Sequence, residues 1–132
     1  MTLDEARDLA VAYLEAMERR DLDAARGFVG PAPEITFPGG RRFSSIDEIV
    51  ANSSGRYRRV CKTITRRDAW DAGAAIGVLI TGTLYGEWPD GSAFDGIRFA
   101  DRFDIVDGRI VRQEVWNDAG ERVLAMQKEA AE

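Results

Sequence analysis

An α+β fold is predicted for this chain from three observations. Helical periodicity is confined to the N-terminal part, alternating β-branched and apolar residues take over from residue 60, and two tight-turn signals break that later region into strands. The turns are Pro89-Asp90-Gly91 and Asp107-Gly108, and they join three long strands into an antiparallel meander. Helices that precede a sheet pack together on one of its faces.

The elements follow in order. Thr2 or Asp4 can cap a first helix, whose acidic first turn favours the positive end of the helix dipole. Leu3, Ala6, Leu9, Ala10, Tyr13, Leu14 and Met17 recur at helical spacing and form its apolar face, with Glu15, Glu18, Arg19 and Arg20 opposite. Asp21 caps a shorter helix, LDAARGFV, stopped by Gly30 and Pro31. EITF reads as a short strand ended by Pro38-Gly39-Gly40, and Arg41 to Ser44 as its return. Ser45 or Asp47 opens another amphipathic helix with Ile46, Ile49 and Val50 inward. RVCKTITRR is a strand followed by a turn at Trp70-Asp71-Ala72-Gly73. AAIGVLITGTLYGEW, FDGIRFADRFDIV and RIVRQEVWND are the meander, with Gly77, Gly82 and Gly86 marking bulges or sharp curvature. The closing KEAAE is expected to fray.

Composition narrows the chemistry. The 132 residues fit one domain, 1–132, large enough to bury a core without staples. One cysteine, Cys61, allows no intrachain disulfide and no cysteine-based metal cluster; the absence of histidine removes histidine bases and nearly every zinc site. No metal or cofactor is expected. A formal charge of −5 argues against nucleic acid as the partner. The cluster Arg56, Arg58, Arg59, Lys62, Arg66 and Arg67 reads first as a solvated surface, and otherwise as a contact for an anionic ligand or a subunit. The N-terminus lacks the basic start and apolar run of a secretion signal, and no stretch approaches ~18 consecutive apolar residues. A soluble, cytoplasmic protein is the expectation.

The strand from Ile97 to Val106 carries the most informative pattern. One face reads Ile97, Phe99, Asp101, Phe103, Ile105; the other reads Arg98, Ala100, Arg102, Asp104. A carboxylate at the centre of an apolar face is costly to ionise there. Three readings stand open. Asp101 pairs with a buried arginine or backbone amides, or it serves as a neutral donor or general acid/base in a pocket, or a bulge moves it off that face. On the last strand, alternation places Val111, Gln113, Val115 and Asn117 together, a set that suits a cavity lining as well as a core. Phe28, Phe37, Tyr57, Phe99 and Phe103 suit either role too, and Trp70, Trp88 and Trp116 suit packing or an interface.

The stretches YLEAMERRDLDAARGFVGPAPEITFPGG and FDGIRFADRFDIVDGRIVRQEVWND resemble the opening helices with first strand, and the closing hairpin, of the SnoaL-like and ketosteroid-isomerase-like proteins of the nuclear transport factor 2-like (cystatin-like) superfamily. The resemblance implies a cone-shaped curved antiparallel sheet around an apolar cavity, closed by the N-terminal helices, with a homodimer through the sheet and an apolar small-molecule ligand. It implies an isomerase, cyclase or dehydratase working by proton transfer, or else a ligand-binding or dimerising domain of the same fold. In ketosteroid isomerases a helix tyrosine and a protonated strand aspartic acid form the oxyanion hole. Those positions match Tyr13 and Asp101 here, while Phe37 stands where the isomerase base would be. Asp101 also matches the acid/base aspartate of the SnoaL-type cyclases. The Asp-Arg-Asp set of limonene epoxide hydrolases would fall near Thr81, Thr83 and Val115 and is absent. The implied catalytic residues are therefore Asp101 and Tyr13, with Phe37, Tyr57, Phe99, Phe103, Gln113, Val115 and Asn117 as ligand-binding residues.

Overall fold

Thr2 begins the first helix with a reciprocal cap: its hydroxyl accepts from the Glu5 N–H, and the Glu5 carboxylate accepts from the Thr2 N–H. The computed structural model describes residues 1–131. Helix α1 spans Leu3–Glu18, and α2 spans Leu22–Gly27, capped by Asp21. Strand β1 runs Val29–Phe37, a single 3₁₀ turn follows at Pro38–Gly40, and β2 is Arg41–Phe43. Helix α3, Ile46–Arg56, is capped by Ser45. The sheet then continues as β3 Arg59–Asp71, β4 Ile76–Glu87, β5 Ala93–Val106 and β6 Arg109–Asn117, and helix α4 covers Ala119–Ala131.

The six strands form one curved, open sheet in the order β2-β1-β6-β5-β4-β3. Four of its five pairings are antiparallel, and β1 meets β6 in parallel. The mixed α+β architecture is thus as expected, with two differences in the elements. Trp70 and Asp71 belong to β3, and the turn lies one step later, where the Ala72 N–H donates to Ala75 O. Trp70 stays in the strand because its indole lies over Gly77, where an added Cβ would sit 2.3 Å from the ring. The second difference is α4, which follows the sheet rather than preceding it and begins where Asn117 accepts from the Ala119 N–H.

The concave face of the sheet holds the core. Val78, Ile80, Ile97, Phe103 and Ile105 are buried there against Ala6, Ala10, Tyr13, Leu14 and Met17 of α1. Small alanines on α1 let the helix sit close to the strands, and each large side chain fully buried contributes about 1.5–3 kcal/mol. The strands bend where bulges interrupt the register between Ile64 and Arg66, between Leu84 and Gly86, and between Asp104 and Ile105. Gly82 permits the first of these bends, because a Cβ there would lie 1.9 Å from Thr63 O. The third bulge corrects the facing of β6: Ile110 pairs with Ile105 and is buried, while Val111, assigned by alternation to the same face as Gln113, is the extra residue. No helix among the described residues is long and apolar enough to cross a membrane.

Candidate functional site

Curvature leaves a hollow of about 100 Å³ between the concave face, α1, α3 and the 3₁₀ turn. Each element supplies one stripe of its wall. From α3 come Ile49, Asn52, Ser53 and Arg56, spaced as one helical face that runs from a buried residue to an exposed one. From α1 and the residues after it come Tyr13, Leu14, Met17, Glu18 and Arg20. Phe37, Tyr57, Phe99, Gln113, Val115 and Asn117 all lie on the wall, as do Tyr13 and Asp101. Phe103 does not. It is wholly buried in the core behind the wall, with its ring edge-to-face against Tyr13 at 5.9 Å. Alternation places a side chain on a face but does not say how deep it lies.

Asp101 sits at the centre of β5, between Ile80 of β4 and Val115 of β6, and is completely buried. Neither carboxylate oxygen has a hydrogen-bond partner. The nearest charge is the Lys62 ammonium, with Nζ 3.6 Å from Oδ2, a Coulomb contact beyond hydrogen-bond reach. The same ammonium lies 5.2 Å from the centre of the Phe99 ring. Burial, the larger effect, pushes the Asp101 carboxyl above the ordinary aspartic acid value, and Lys62 acts in the opposite direction. The carboxyl is therefore a group of raised basicity that an adjacent cation keeps ionisable.

Lys62 is the cavity residue that the sequence reading leaves out. It was grouped with the basic surface cluster, yet it lies on the cavity wall with its side chain 28% exposed. The signal was present in the strand, since Val60, Lys62 and Ile64 share one face by alternation and two of the three are apolar. Arg56, also assigned to that surface cluster, lines the cavity as well. The charged neighbour of Asp101 is thus a lysine, whereas the pairing among its three sequence readings names a buried arginine or backbone amides.

Tyr13 is 1% exposed, and its hydroxyl donates to Gln113 Oε1 at 3.0 Å. Burial first and the neighbouring Asp101 second push its phenol well above the ordinary tyrosine value, so it stays a neutral donor. Phe37 packs edge-on against Phe43 at 5.2 Å, and Glu34, three residues earlier, points outward to Arg112 at 2.9 Å. The end of β1 therefore offers the hollow no carboxylate. Elsewhere on the wall Tyr57 stacks on Trp88 at 5.7 Å, and Phe94 lies 4.5 Å from Trp88, a cluster that anchors the start of β3. No group of histidine, cysteine or acidic side chains able to hold a metal ion occurs among the described residues.

Comparison with known proteins gives the same architecture. No family model matches the chain, and no curated protein does. Among solved structures, a nuclear transport factor 2-like protein of unknown function from Burkholderia pseudomallei is 19% identical, with a TM-score of 0.75 over 93% of this chain and 96% of that one. TerC, co-crystallised with polyporic acid, is 17% identical, with a TM-score of 0.72 over 92% of this chain and 94% of that one. A candidate SnoaL-like polyketide cyclase from Jannaschia sp. CCS1 is 15% identical, with a TM-score of 0.71 over 94% and 90% of the two chains. Identities of 15 to 19% speak for shape and not for activity: this chain has the nuclear transport factor 2-like fold.

Proposed function

We propose that the hollow binds a small, mostly apolar carbonyl compound and that Asp101 moves a proton on it, as an isomerase, cyclase or dehydratase requires. The observation that carries this reading is a wholly buried carboxyl with no hydrogen-bond partner, on the wall of a largely apolar cavity and beside one ammonium. A purely structural aspartate would satisfy its oxygens, because an unpaired buried acceptor costs about 1–3 kcal/mol and more when charged. As base, the Asp101 carboxylate accepts a proton from the carbon beside the carbonyl and becomes the neutral acid its surroundings favour; as acid it returns that proton to carbon or oxygen. Tyr13 assists by exchanging Gln113 for the oxygen on which negative charge develops. The co-crystallisation of TerC, a protein of similar fold, with polyporic acid supports a small-molecule ligand. We further propose a homodimer through the convex face of the sheet, where Trp116 is 52% exposed and Arg102 lies over Trp70.

Phe37 favours a second reading, a binding domain without catalysis, since it occupies the end of β1 where a proton-shuttling carboxylate would stand. One experiment separates the two. Cyclohexanone, a single ring suited to a small hollow, is incubated with the protein in deuterium oxide, and loss of its α-protons is followed by NMR. Proton transfer predicts accelerated exchange that Asp101→Asn abolishes while cyclohexanone still binds. Binding with no exchange above buffer would leave only the second reading.

A further inference from the structure

The wall of the hollow is not electrically balanced. It carries the cations Arg20, Arg56 and Lys62 against the acids Glu18 and Asp101. Both acids are engaged inside the protein: Asp101 faces Lys62, and Glu18 Oε1 accepts from the Lys62 backbone N–H at 2.6 Å. Arg20 and Arg56 are exposed and therefore mark the mouth. A third guanidinium, Arg41, is fixed to the same rim by hydrogen bonds to Pro38 O and Asn52 Oδ1, both from wall residues. Its Nη2 is buried and has no acceptor. Among the described residues none of these three arginines lies within ion-pair distance of a carboxylate. Arg41 is easier to deprotonate than an ordinary arginine, through burial first and the charge of Arg56 second, so the guanidiniums feel one another. Guanidiniums gathered in this way repel one another, and an anion seated between them relieves that repulsion.

Arg20 adds an independent observation. It ends α1 in the left-handed conformation, with φ at 61°. Its N–H donates to Met17 O and the Asp21 N–H donates to Ala16 O, the pattern of a helix terminus where glycine is the usual residue. Arginine is strained there, so backbone geometry does not explain its presence. Its side chain does reach across the mouth: Nη1 donates to Met17 O at 2.5 Å and Nη2 donates to Ser53 Oγ of α3 at 3.2 Å. A guanidinium has five N–H donors, and these two contacts leave others free at the rim.

We propose that the ligand of this hollow bears a carboxylate, seated at the mouth between Arg20, Arg41 and Arg56 with its apolar body directed at Asp101. The inference rests on the reading of the hollow as a small-molecule cavity and deepens it by naming the ligand class. Arginine forks suit a carboxylate because two parallel N–H donors meet its two oxygens. The arrangement also orients the ligand, because the anion and the reacting carbon are held at opposite ends.

The test compares benzoate with benzyl alcohol, the same ring with and without the charge, titrated calorimetrically into the full chain while backbone NMR shifts at Tyr13 and Phe99 report cavity occupancy. Benzoate is expected to bind about tenfold more tightly than the alcohol, the factor given by one charge-assisted hydrogen bond. That preference should shrink as salt is raised. Arg20→Gly and Arg56→Gln should each remove most of it and leave benzyl alcohol unchanged. Arg20→Gly should do so with no loss of thermal stability, since glycine suits the left-handed position; a purely structural arginine would show the reverse. Should Arg20→Gly fail to fold, Arg56→Gln at an exposed helix end gives the same readout. Equal affinity for the two probes, or a preference untouched by both variants, overturns this inference alone. Failure of both probes to shift the cavity resonances overturns it together with the cavity reading beneath it.

Discussion

The Lys62–Asp101 pair yields a quantitative expectation through a double-mutant cycle of Lys62→Met and Asp101→Asn. At 3.6 Å, unit charges in surroundings of effective dielectric about 20 attract by about 4–5 kcal/mol. The ammonium is 28% exposed and so partly screened by water, which brings the expected coupling to roughly 2–4 kcal/mol. Methionine keeps the length and apolar stem of lysine, and asparagine keeps the shape of the carboxyl, so neither variant opens a cavity. Urea unfolding of the four proteins at about pH 8 measures the coupling. The pH dependence supplies a second check. Asp101 is raised above its unfolded value, so its contribution to stability is fully present below the ordinary aspartic acid value and is lost as pH rises through the folded one. In Lys62→Met the folded value rises further and the loss continues to higher pH. In Asp101→Asn this component is missing. At about pH 3 the carboxyl is protonated in both states and the coupling should vanish. A coupling below about 0.5 kcal/mol at the higher pH, the scale of an exposed ion pair, would refute the description of a buried, ionisable carboxyl held by one lysine.

Two further outcomes follow from neighbouring contacts. Tyr13→Phe removes the 3.0 Å hydrogen bond to Gln113 and leaves a buried amide oxygen without its donor, which should cost about 1–3 kcal/mol in urea unfolding. Gly82→Ala places a methyl group 1.9 Å from Thr63 O in the adjacent strand; because backbone cannot yield as a side chain does, a loss of about 2 kcal/mol or more is expected in thermal unfolding.

Much of the fold was legible because its signals are local. The apolar spacing of α1, the Asp107-Gly108 turn and the alternation of β5 each act over a few residues, and the structure realises all three. The bulges were not legible to the same extent. At Val111 the sequence continues an unbroken alternation, and only the pairing of Ile105 with Ile110 shows that one residue was skipped. Helix α4 is absent from the sequence reading although its apolar spacing is as pronounced as that of α1. Its apolar residues do not bury, with Val123, Leu124 and Met126 37%, 61% and 37% exposed. In the site, alternation supplied Asp101 and the face it shares, whereas depth separated Phe103 from Phe99. Lys62 shows a different failure. A local cluster of charge outweighed the strand period, although the period was the stronger physical constraint.

That reversal bears on how the site works. A carboxyl alone on an apolar wall would be protonated and useful only as a donor; a carboxylate locked into hydrogen bonds would be ionised and useful for neither role. Asp101 lies between these limits because its one charged neighbour is an ammonium 3.6 Å away that is itself partly exposed to solvent. A ligand that draws the ammonium away makes the carboxyl a better acid-form donor, and one that leaves it in place preserves a base. On the proposed reading, the protonation state of Asp101 would respond to what enters the hollow. An anionic group seated at the arginine rim would leave Lys62 beside Asp101, whereas one that reached the floor would compete for it. On the proposed reading, a carboxylate seated at the arginine rim would leave the Lys62–Asp101 pair intact, the arrangement in which Asp101 can serve as a base.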